Sequence, residues 1–519
     1  ILMLKKFQKV LKVFRKIILR KISKEKSGKD LMKNFKKLSL AEKILFFAPF
    51  MVWFSYYPNF NFGKAAGANL EFSIALIYAV ILALFSIKNI FKNRKTLLKN
   101  KAVLVTGFFV FWNFLTILSS QNQLRSFLVS GVWLVLWLDF LAILSFSKNK
   151  KLFESLIKNF IFSAFLMSIF AIIQVVYGTW SDWGLCAGCS AQGFGFVRPS
   201  VFAIEPQFFA SMLLAPILIL ISRIFNKKST KKEKIAVWIM LFALYLTLSR
   251  GAIFALLLAV LVLIFVNQKF SKKVILRNFL ISGWFIVSSF LGGMIFHAIF
   301  TELNPRVSDG FYDSISKSVN QISLGKIKLP KIEKEINQEI KEPEIESSSL
   351  NSKQPTEKTV KKPKKAMFDG YVEKSTNERT KMSDLAIETW LSNPFVVFFG
   401  VGSGASGTAI LNSTHQIANS SEIVQNEFLS ILLELGIFGL IIWGLIIFRI
   451  FLKSREEKCI WAILTAFLVQ WFFFSGLPNA LHIYLILAVS FVIIERAYEK
   501  KSAINRWVHT KAAGRFFKS

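Results

Sequence analysis

One arginine interrupts a long apolar stretch of the chain, in the segment LTLSRGA at residues 246–252. A guanidinium group is permanently charged, and its planar fork of N–H donors matches the oxygens of a phosphate group. Ser249 stands directly before Arg250 and would add a hydroxyl group to such a site. The alternative is an arginine that extends from a helix end to the membrane surface and has only a structural role. Arg250 is therefore a candidate for binding an anionic substrate.

A second arginine opens the segment RPSVFAIEP at residues 198–206. The segment combines a cation, the carboxylate of Glu205 and two prolines at the start of an apolar run. Pro206 suits the first turn of a helix, so Glu205 would lie near the positive end of the helix dipole. Arg198 and Glu205 are thus either groups that bind a substrate or partners in a salt bridge that shapes the loop. Arg125 is a weaker candidate, because a single arginine at a membrane surface is common.

Carboxylates lead into the last group of apolar segments. Glu427 and Glu434 are seven residues apart, which places them on one face of a helix. A carboxylate within a bilayer is costly and often functional, and desolvation suits it to act as a general base. The alternative is a buried, hydrogen-bonded glutamate that joins helices, which is the favoured interpretation for Glu434. We predict Glu427 and His415, the one histidine of residues 301–425, as candidate catalytic residues.

These candidates lie at the ends of apolar segments that alternate with charged connections. The chain has 519 residues, of which 53% are hydrophobic, and most segments approach the ~20 apolar residues that a spanning helix needs. We predict an all-α polytopic membrane protein with about twelve transmembrane helices. The predicted spans are 44–60, 69–87, 102–119, 127–146, 157–177, 201–224, 235–248, 252–266, 278–299, 428–448, 459–475 and 481–495.

Lysine and arginine alternate between rich and poor connections. Because cation-rich loops stay in the cytoplasm, the arginine candidates are predicted on the external face. An even number of spans then places both termini in the cytoplasm. One long external loop, residues 301–425, lies between the ninth and tenth helices. The cation-rich connections are residues 88–101, 148–158, 227–234, 269–277 and 449–458.

The basic excess of the chain, a formal net charge of +35, collects in cytoplasmic connections and at both ends. Residues 1–43 form a basic arm with an amphipathic pattern, and residues 500–519 form a basic tail. Attraction to anionic membrane lipid explains this distribution, and no basic-aromatic module typical of nucleic-acid binding occurs. We therefore predict membrane lipid as a partner and exclude nucleic acid.

The long external loop contains three kinds of sequence. Residues 326–365 are rich in Lys, Glu, Pro and Ser and lack aromatic residues, which predicts disorder. Residues 378–390 carry apolar side chains at helical spacing, which predicts an amphipathic helix lying on the membrane. The segment GVGSG at residues 400–404 is either a phosphate cradle or, as we favour, a plain glycine-rich loop.

Three cysteines are too few for a disulfide framework. Cys186 and Cys189 lie in one predicted external loop, where they form either a disulfide or two free thiols. A structural zinc site needs about four ligands, and no matching residues stand near these cysteines. The sequence therefore predicts no metal site.

The second half of the chain resembles the O-antigen ligase and polymerase family of bacterial membrane glycosyltransferases. The resemblance covers roughly residues 235–445, and the RPSxFxxEP segment at residues 198–206 extends it toward polysaccharide polymerases. It rests on LSRG at 248–251, the long external loop, Arg379 before an amphipathic helix, NP at 393–394, the glycine segment, and QN at 425–426 followed by ELG at 434–436.

The resemblance divides the chain into five parts. The family-like domain is flanked by helical segments and by the two basic ends. The parts are the arm at 1–43, helices one to six at 44–234, the ligase-like domain at 235–445, the last helices at 446–499 and the tail at 500–519.

The resemblance also implies a reaction. Family members transfer a glycan from a polyprenyl pyrophosphate carrier to a sugar hydroxyl at the external face of the bacterial cytoplasmic membrane, without a metal or other cofactor. Arg198, Arg250 and Arg379 would bind the leaving pyrophosphate, whose charge grows as the glycosidic bond breaks. Other glycan-assembly proteins are candidate partners. The residues assigned to substrate binding are Ser249, Glu205, Gln425 and Asn426.

One position departs from the family pattern. Family ligases carry a histidine immediately before the asparagine, whereas this chain has Gln425, which cannot act as a base. His415, Glu422 or Glu427 could take that role, or the acceptor is activated differently. The departure favours a polymerase, or another acceptor, over a lipopolysaccharide ligase. An anion transporter and a membrane scaffold for glycan assembly are the alternative functions.

Overall fold

The chain folds into a helical bundle with one small β-hairpin. The basic tail, Cys186 and Cys189, and most of the arm and of the predicted disordered insert lie outside the described residues, so the predictions about them stay predictions. The computed structural model describes residues 35, 38–65, 68–180, 197–266, 271–305, 307–323, 325–330, 371–417, 419–420, 422–454, 457–475 and 481–494.

Helices form at all twelve predicted spans, and further helices form in the connections. The first group comprises α1 (Leu40–Met51), α2 (Ile74–Lys92), α3 (Arg94–Leu98), α4 (Lys101–Leu115), α5 (Gln123–Ser145), α6 (Lys150–Trp180), α7 (Pro206–Phe225), α8 (Lys231–Leu246) and α9 (Arg250–Val266). The second group comprises α10 (Lys272–Glu302), α11 (Phe311–Ile322), α12 (Tyr371–Leu391), α13 (Pro394–Phe399), α14 (Ser406–Thr414), α15 (Glu427–Lys453), α16 (Lys458–Gln470) and α17 (Leu481–Ile494).

Seven helices of the described part are long and apolar enough to cross a membrane: α2, α4 with its 3₁₀ extension, α5, α6, α7, α10 and α15. They confirm a mostly helical, multi-pass membrane protein. Helices α9, α16 and α17 are apolar but shorter, and α1 and α8 have 12 and 16 residues. The full count of about twelve spans, the cytoplasmic termini and the external position of the long loop stay predictions.

The first predicted span, residues 44–60, differs from the structure. Helix α1 ends at Met51, and the strands β1 (Asn59–Ala65) and β2 (Ala68–Ser73) pair as a β-hairpin. The strands are antiparallel, with Phe60 opposite Phe72. The alternation of Asn and Phe at residues 59–62 is a two-residue period, which favours a strand over a helix. Composition alone conceals this hairpin, because its residues continue an apolar run.

Helix α7 lies at the centre of the bundle. Of its most apolar stretch 83% is buried, compared with 22% for α10 at the periphery. Its sequence is apolar on all sides, which is typical of a helix surrounded by other helices. It packs against α8, α9 and α16, with side chains such as Phe209 and Leu213 fully buried. Helix α7 thus positions the groups at both of its ends.

The ordered part of the long loop packs on the bundle. Helix α12 contains the predicted helix at residues 378–390. Its buried residues Leu385 and Ala386 contact a cluster from α14 and α15. The apolar face therefore covers protein, whereas the sequence predicts a helix resting on the membrane. The reason is that α14 and α15 offer an apolar surface that only the folded chain assembles.

Helix α15 is interrupted at Gly436, where φ is 67° and ψ is −174°. The break releases backbone carbonyls from the helical ladder. Those of Leu433 and Glu434 accept hydrogen bonds from the N–H groups of Val401 and Gly402, both at 2.9 Å, and that of Leu435 accepts one from the Trp112 indole at 2.9 Å. A Cβ atom at Gly436 would overlap the carbonyl oxygen of Phe398. The break thus joins α13 and the glycine segment to α15.

Candidate functional site

A cavity of about 740 Å³ lies where α7 and α9 begin and where α12 crosses them. Three arginines from three separate segments line it: Arg198 before α7, Arg250 at the start of α9, and Arg379 on α12. The structure therefore brings together side chains that are up to 181 residues apart in the sequence (379 − 198). Of the nine predicted site residues, the cavity is lined by Arg198, Glu205, Ser249, Arg250, Arg379 and Gln425.

Arg198 is held by the loop that precedes α7. Its Nε donates a hydrogen bond to the carbonyl oxygen of Thr247 at 2.8 Å. The loop itself is anchored by Gln174, which is fully buried in α6. The Gln174 amide accepts a bond from the Val201 N–H at 3.0 Å and donates one to the Val201 carbonyl at 3.1 Å. These bonds set the backbone that carries Arg198 into the cavity.

Arg250 is the first residue of α9, after a connection of three residues, 247–249, from α8. Leu248 has a φ of 46°, a left-handed conformation that is unfavourable for a residue with a Cβ atom. Bonds of the turn support it: the Leu248 N–H donates to the Tyr245 carbonyl at 2.8 Å, and the Ser249 N–H donates to the Thr247 hydroxyl at 3.2 Å. This tight turn places Ser249 and Arg250 together at the cavity, as the short gap between the predicted spans 235–248 and 252–266 requires.

Arg379 connects the long loop to the bundle. Its Nη1 donates to the carbonyl oxygen of Phe473 at 3.0 Å, and its Nη2 donates to the Gln207 side chain at 3.3 Å. Gln207 lies in the first turn of α7, and Phe473 follows α16. The Phe473 ring also contacts Gly251 so closely that a Cβ atom there would overlap it. Arg379 is therefore positioned by the same elements that hold Arg250.

Carboxylates also line the cavity, at positions more exposed to water. Glu205 and Glu422 are exposed, whereas the three arginines are half-buried. Glu205 accepts a hydrogen bond of 2.7 Å from Gln207. Because exposed charges are screened by solvent and half-buried ones much less, the arginines dominate the electrostatic potential deeper in the cavity. Such a cavity favours a ligand whose anionic group lies among the arginines and whose other end lies near the exposed carboxylates.

Three predicted site residues lie away from the cavity. Glu427 is only 3% exposed and accepts a 2.6 Å hydrogen bond from the Tyr484 hydroxyl. Asn426 caps α15, since its side chain accepts a bond from the Leu429 N–H at 3.2 Å. His415 is exposed at the C-terminus of α14. The start of α15 turns both of these side chains into the bundle. Glu427 therefore joins α15 to α17 through Tyr484, and Asn426 caps the first turn of α15.

The glycine segment at residues 400–404 does not line the cavity. Its N–H groups bind α15 instead: besides those of Val401 and Gly402, the Gly404 N–H donates to the Glu434 carboxylate at 2.7 Å. A Cβ atom at Gly402 would overlap Ser120. The segment is therefore a glycine-rich loop that needs close backbone approach, as favoured from the sequence. Glu434 joins α15 to this loop.

The other arginine considered from the sequence, Arg125, binds elsewhere. Its Nη1 donates to the Ser420 carbonyl at 3.1 Å, which ties α5 to the end of the long loop. Gln174 and Gln207, by contrast, hold the cavity and are absent from the predicted site. A glutamine within an apolar segment such as 157–177 is the one signal that would have identified Gln174. For Gln207 no local signal exists, because its partner Arg379 is 172 residues away.

Comparison with known protein families found a match in the second half of the chain. Residues 235–444 match the family model described as O-Antigen ligase. The matched region contains the α8–α9 turn, α12, the glycine segment and the first part of α15. It also contains two of the three cavity arginines, while Arg198 lies before it. No curated protein matches the chain.

Proposed function

We propose that the arginine cavity transfers glycans from a polyprenyl pyrophosphate carrier to a sugar hydroxyl, because residues 235–444 match the O-antigen ligase family model. The reaction either lengthens a surface polysaccharide or attaches it to an acceptor. In this proposal the cavity opens to the external face of the cytoplasmic membrane. The family match supports the ligase or polymerase class, and the cavity supports the residues.

The observation that carries the proposal is the convergence of three half-buried arginines on one cavity. Two of these guanidinium groups are held in place by hydrogen bonds, since Arg198 binds Thr247 and Arg379 binds Gln207 and Phe473. Arg250 is placed by the tight turn that opens α9. Fixed cations need no reorganisation when negative charge develops beside them, which makes them effective in stabilising a transition state. A pyrophosphate leaving group develops such charge.

The bond changes follow from this placement. The acceptor hydroxyl attacks the anomeric carbon of the donor sugar, and the bond from that carbon to the pyrophosphate oxygen breaks. The pyrophosphate leaves on its lipid with the electron pair of the broken bond, and Arg198, Arg250 and Arg379 bind its charge. The hydroxyl proton passes to a carboxylate at the cavity. The products are the new glycosidic bond and the polyprenyl pyrophosphate.

Glu422 is the carboxylate that we assign as the general base. It lines the cavity, is exposed to water, and stands three residues before Gln425, which occupies the usual histidine position. The other two candidates from the sequence are less suitable, because Glu427 is bound to Tyr484 and His415 does not line the cavity. An exposed carboxylate can both accept the proton and release it to solvent.

The break in α15 is a feature that favours an anion transporter, since carriers often bind their substrate at interrupted helices near mid-membrane. Here the carbonyls released at Gly436 already bind Val401, Gly402 and Trp112. The arginines lie at helix ends and in the loop helix rather than beside the break. The glycosyltransferase is therefore the better-supported function.

Deletion and complementation test the proposal. A strain without the gene should accumulate lipid-linked glycan, and the wild-type gene should restore the surface polysaccharide. Loss of chain elongation on the carrier indicates a polymerase, whereas long unattached chains indicate a ligase. Unchanged lipid-linked and surface glycans in the deletion strain, with no second copy of the gene, would contradict the proposal. Uptake of a labelled anion by proteoliposomes would support the transporter instead.

A further inference from the structure

A second cavity, of about 350 Å³, shares no lining residue with the arginine cavity. Helix α7 connects the two, with Glu205 before its first turn at one cavity and Arg223 in its last turn at the other. Eighteen residues of helix separate these positions (223 − 205), or roughly 27 Å at 1.5 Å per residue. The second cavity is therefore a site of its own.

The walls of the second cavity are mostly aliphatic and aromatic. They come from α1, α2, α5, α6, α7, α16 and α17, so seven helices enclose one space. Side chains such as Leu82, Ile143 and Ile463 line it. Such walls favour a guest with a slender hydrocarbon part, because apolar surface is then removed from water or lipid headgroups.

One residue of the cavity wall is a carboxylic acid and differs from the apolar side chains around it. Asp139 of α5 lines the cavity and is fully buried. Neither of its carboxyl oxygens has a hydrogen-bond partner within the described part of the chain. A buried carboxyl without a partner is costly, and more so when it is ionised, so such groups usually pair with a donor. Asp139 thus presents an unused acceptor to the cavity.

Two other polar groups at this cavity, Arg223 and Tyr78, already have partners. The Arg223 guanidinium pairs with Glu233, with an N–O distance of 2.5 Å. The Tyr78 hydroxyl donates to the carbonyl oxygen of Ile44 at 2.5 Å. Glu457 and Cys459 lie near the ends of α7 and α16 that carry the lysine-rich connections. The donor that Asp139 lacks is therefore best supplied by a guest.

We propose that this cavity binds an amphiphile with a slender apolar chain and one protonated amine, whose ammonium group pairs with Asp139. The ammonium supplies both the donor and the compensating charge, while the chain fills the apolar space. A dry 150 Å³ cavity holds a benzene molecule, so this volume accommodates roughly a dozen non-hydrogen atoms. The amine belongs either to a membrane lipid or to a free hydrophobic amine.

Cys459 provides a reporter of occupancy, because it lines the same cavity as Asp139. In a Cys186→Ser, Cys189→Ser protein, Cys459 is the one remaining cysteine of the three. The rate at which methyl methanethiolsulfonate modifies it is measured on the purified full chain by mass spectrometry. The probes are n-decylamine and n-decanol, which share the chain length and differ in the charged head.

We expect n-decylamine to protect Cys459 at concentrations roughly tenfold or more below those that n-decanol needs, as a charge-assisted hydrogen bond implies. Asp139→Asn should remove that advantage and leave the weak protection by n-decanol unchanged. An unaltered modification rate without probes shows that the variant keeps the cavity. If Asp139→Asn does not fold, the comparison of the two probes on the parent protein decides. Equal protection by both probes, or an amine advantage that persists in Asp139→Asn, overturns the proposal.

The source of the amine is distinguished by lipid composition. Protection of Cys459 in phosphatidylethanolamine vesicles, but not in phosphatidylglycerol vesicles, supports the proposal with a lipid amine as the occupant. Protection by added n-decylamine in both kinds of vesicle supports it with a free amine. Protection in phosphatidylglycerol vesicles without any amine means that a hydrocarbon chain alone fills the cavity, which contradicts the proposal.

Discussion

The Nε of Arg198 donates a hydrogen bond to the carbonyl oxygen of Thr247 at 2.8 Å, three residues before Arg250. The bond joins a loop that precedes the family-matched region to the turn that opens α9 inside it. Two guanidinium groups thereby share one backbone framework. The upstream loop is for this reason part of the proposed transfer site, although the family match begins at residue 235.

Replacement of Arg250 by alanine should abolish most glycan transfer. Removal of one fixed group that stabilises developing charge typically lowers kcat by about 10²–10³. Arg250→Lys should retain only part of the rate, because an ammonium lacks the planar fork that binds two phosphate oxygens. The measurement is the turnover of a lipid-linked oligosaccharide by the purified protein.

The matched control for Arg250 is Arg277→Ala. Arg277 also bonds to the backbone, with Nη2 donating to the Phe225 carbonyl at 3.0 Å, but at the lysine-rich end of the bundle. The control should transfer glycan at nearly the wild-type rate. Normal turnover by an Arg250→Ala protein of normal abundance would contradict the assignment of the cavity.

Glu422→Gln should lower kcat and leave KM nearly unchanged, because it removes the proposed base and keeps the shape of the side chain. We expect a loss of about 10²-fold, within the range typical of general base catalysis. The control is Glu427→Gln, which alters the bond to Tyr484 and should lower stability while kcat stays near the wild-type value. If Glu422→Gln keeps the wild-type kcat, another group is the base.

Gln174→Leu should destabilise the loop that carries Arg198. It leaves the N–H and the carbonyl of Val201 without their partner, at a cost of about 1–3 kcal/mol for each buried group. We expect a lower Tm and a raised KM for the lipid-linked donor. Thr179→Val is the control, since Thr179 is equally buried in α6 but bonds only to the carbonyl of Val175 in its own helix. A Gln174→Leu protein as stable as this control would show that the loop is held otherwise.

Gly436→Ala should destabilise the protein by several kcal/mol. The added Cβ atom would overlap the Phe398 carbonyl, and the residue has a φ of 67°, where alanine is strained. Gly444→Ala, eight residues later in α15, is the control because no atom lies within 4 Å of the added Cβ. It should be neutral or stabilising by up to about 1 kcal/mol. Thermal unfolding in detergent measures the Tm of both variants. Equal Tm values would contradict the conclusion that the break in α15 requires glycine at position 436.

Local sequence determined much of this protein. Runs of apolar residues predict the helices, since each run must bury its backbone polar groups in a helix to enter a bilayer. The three residues between the predicted spans 235–248 and 252–266 predict a tight connection, and Pro206 predicts the start of α7. Arg198 and Arg250 were identifiable because a permanent charge at the end of an apolar run is costly unless it has a purpose, whereas Arg379 was identified only through the family resemblance.

Only the tertiary structure decided how these parts meet. Sequence spacing placed Glu427 and Glu434 on one helical face, but packing turned Glu427 toward Tyr484 and Glu434 toward Gly404. Gln174 and Gln207 support the site through hydrogen bonds to residues from other segments of the chain. Asp139 lines a cavity because seven helices leave a space there. Such contacts depend on how helices cross one another, which no local pattern records. The residue types were readable from the chain, whereas their partners arose from packing between distant segments.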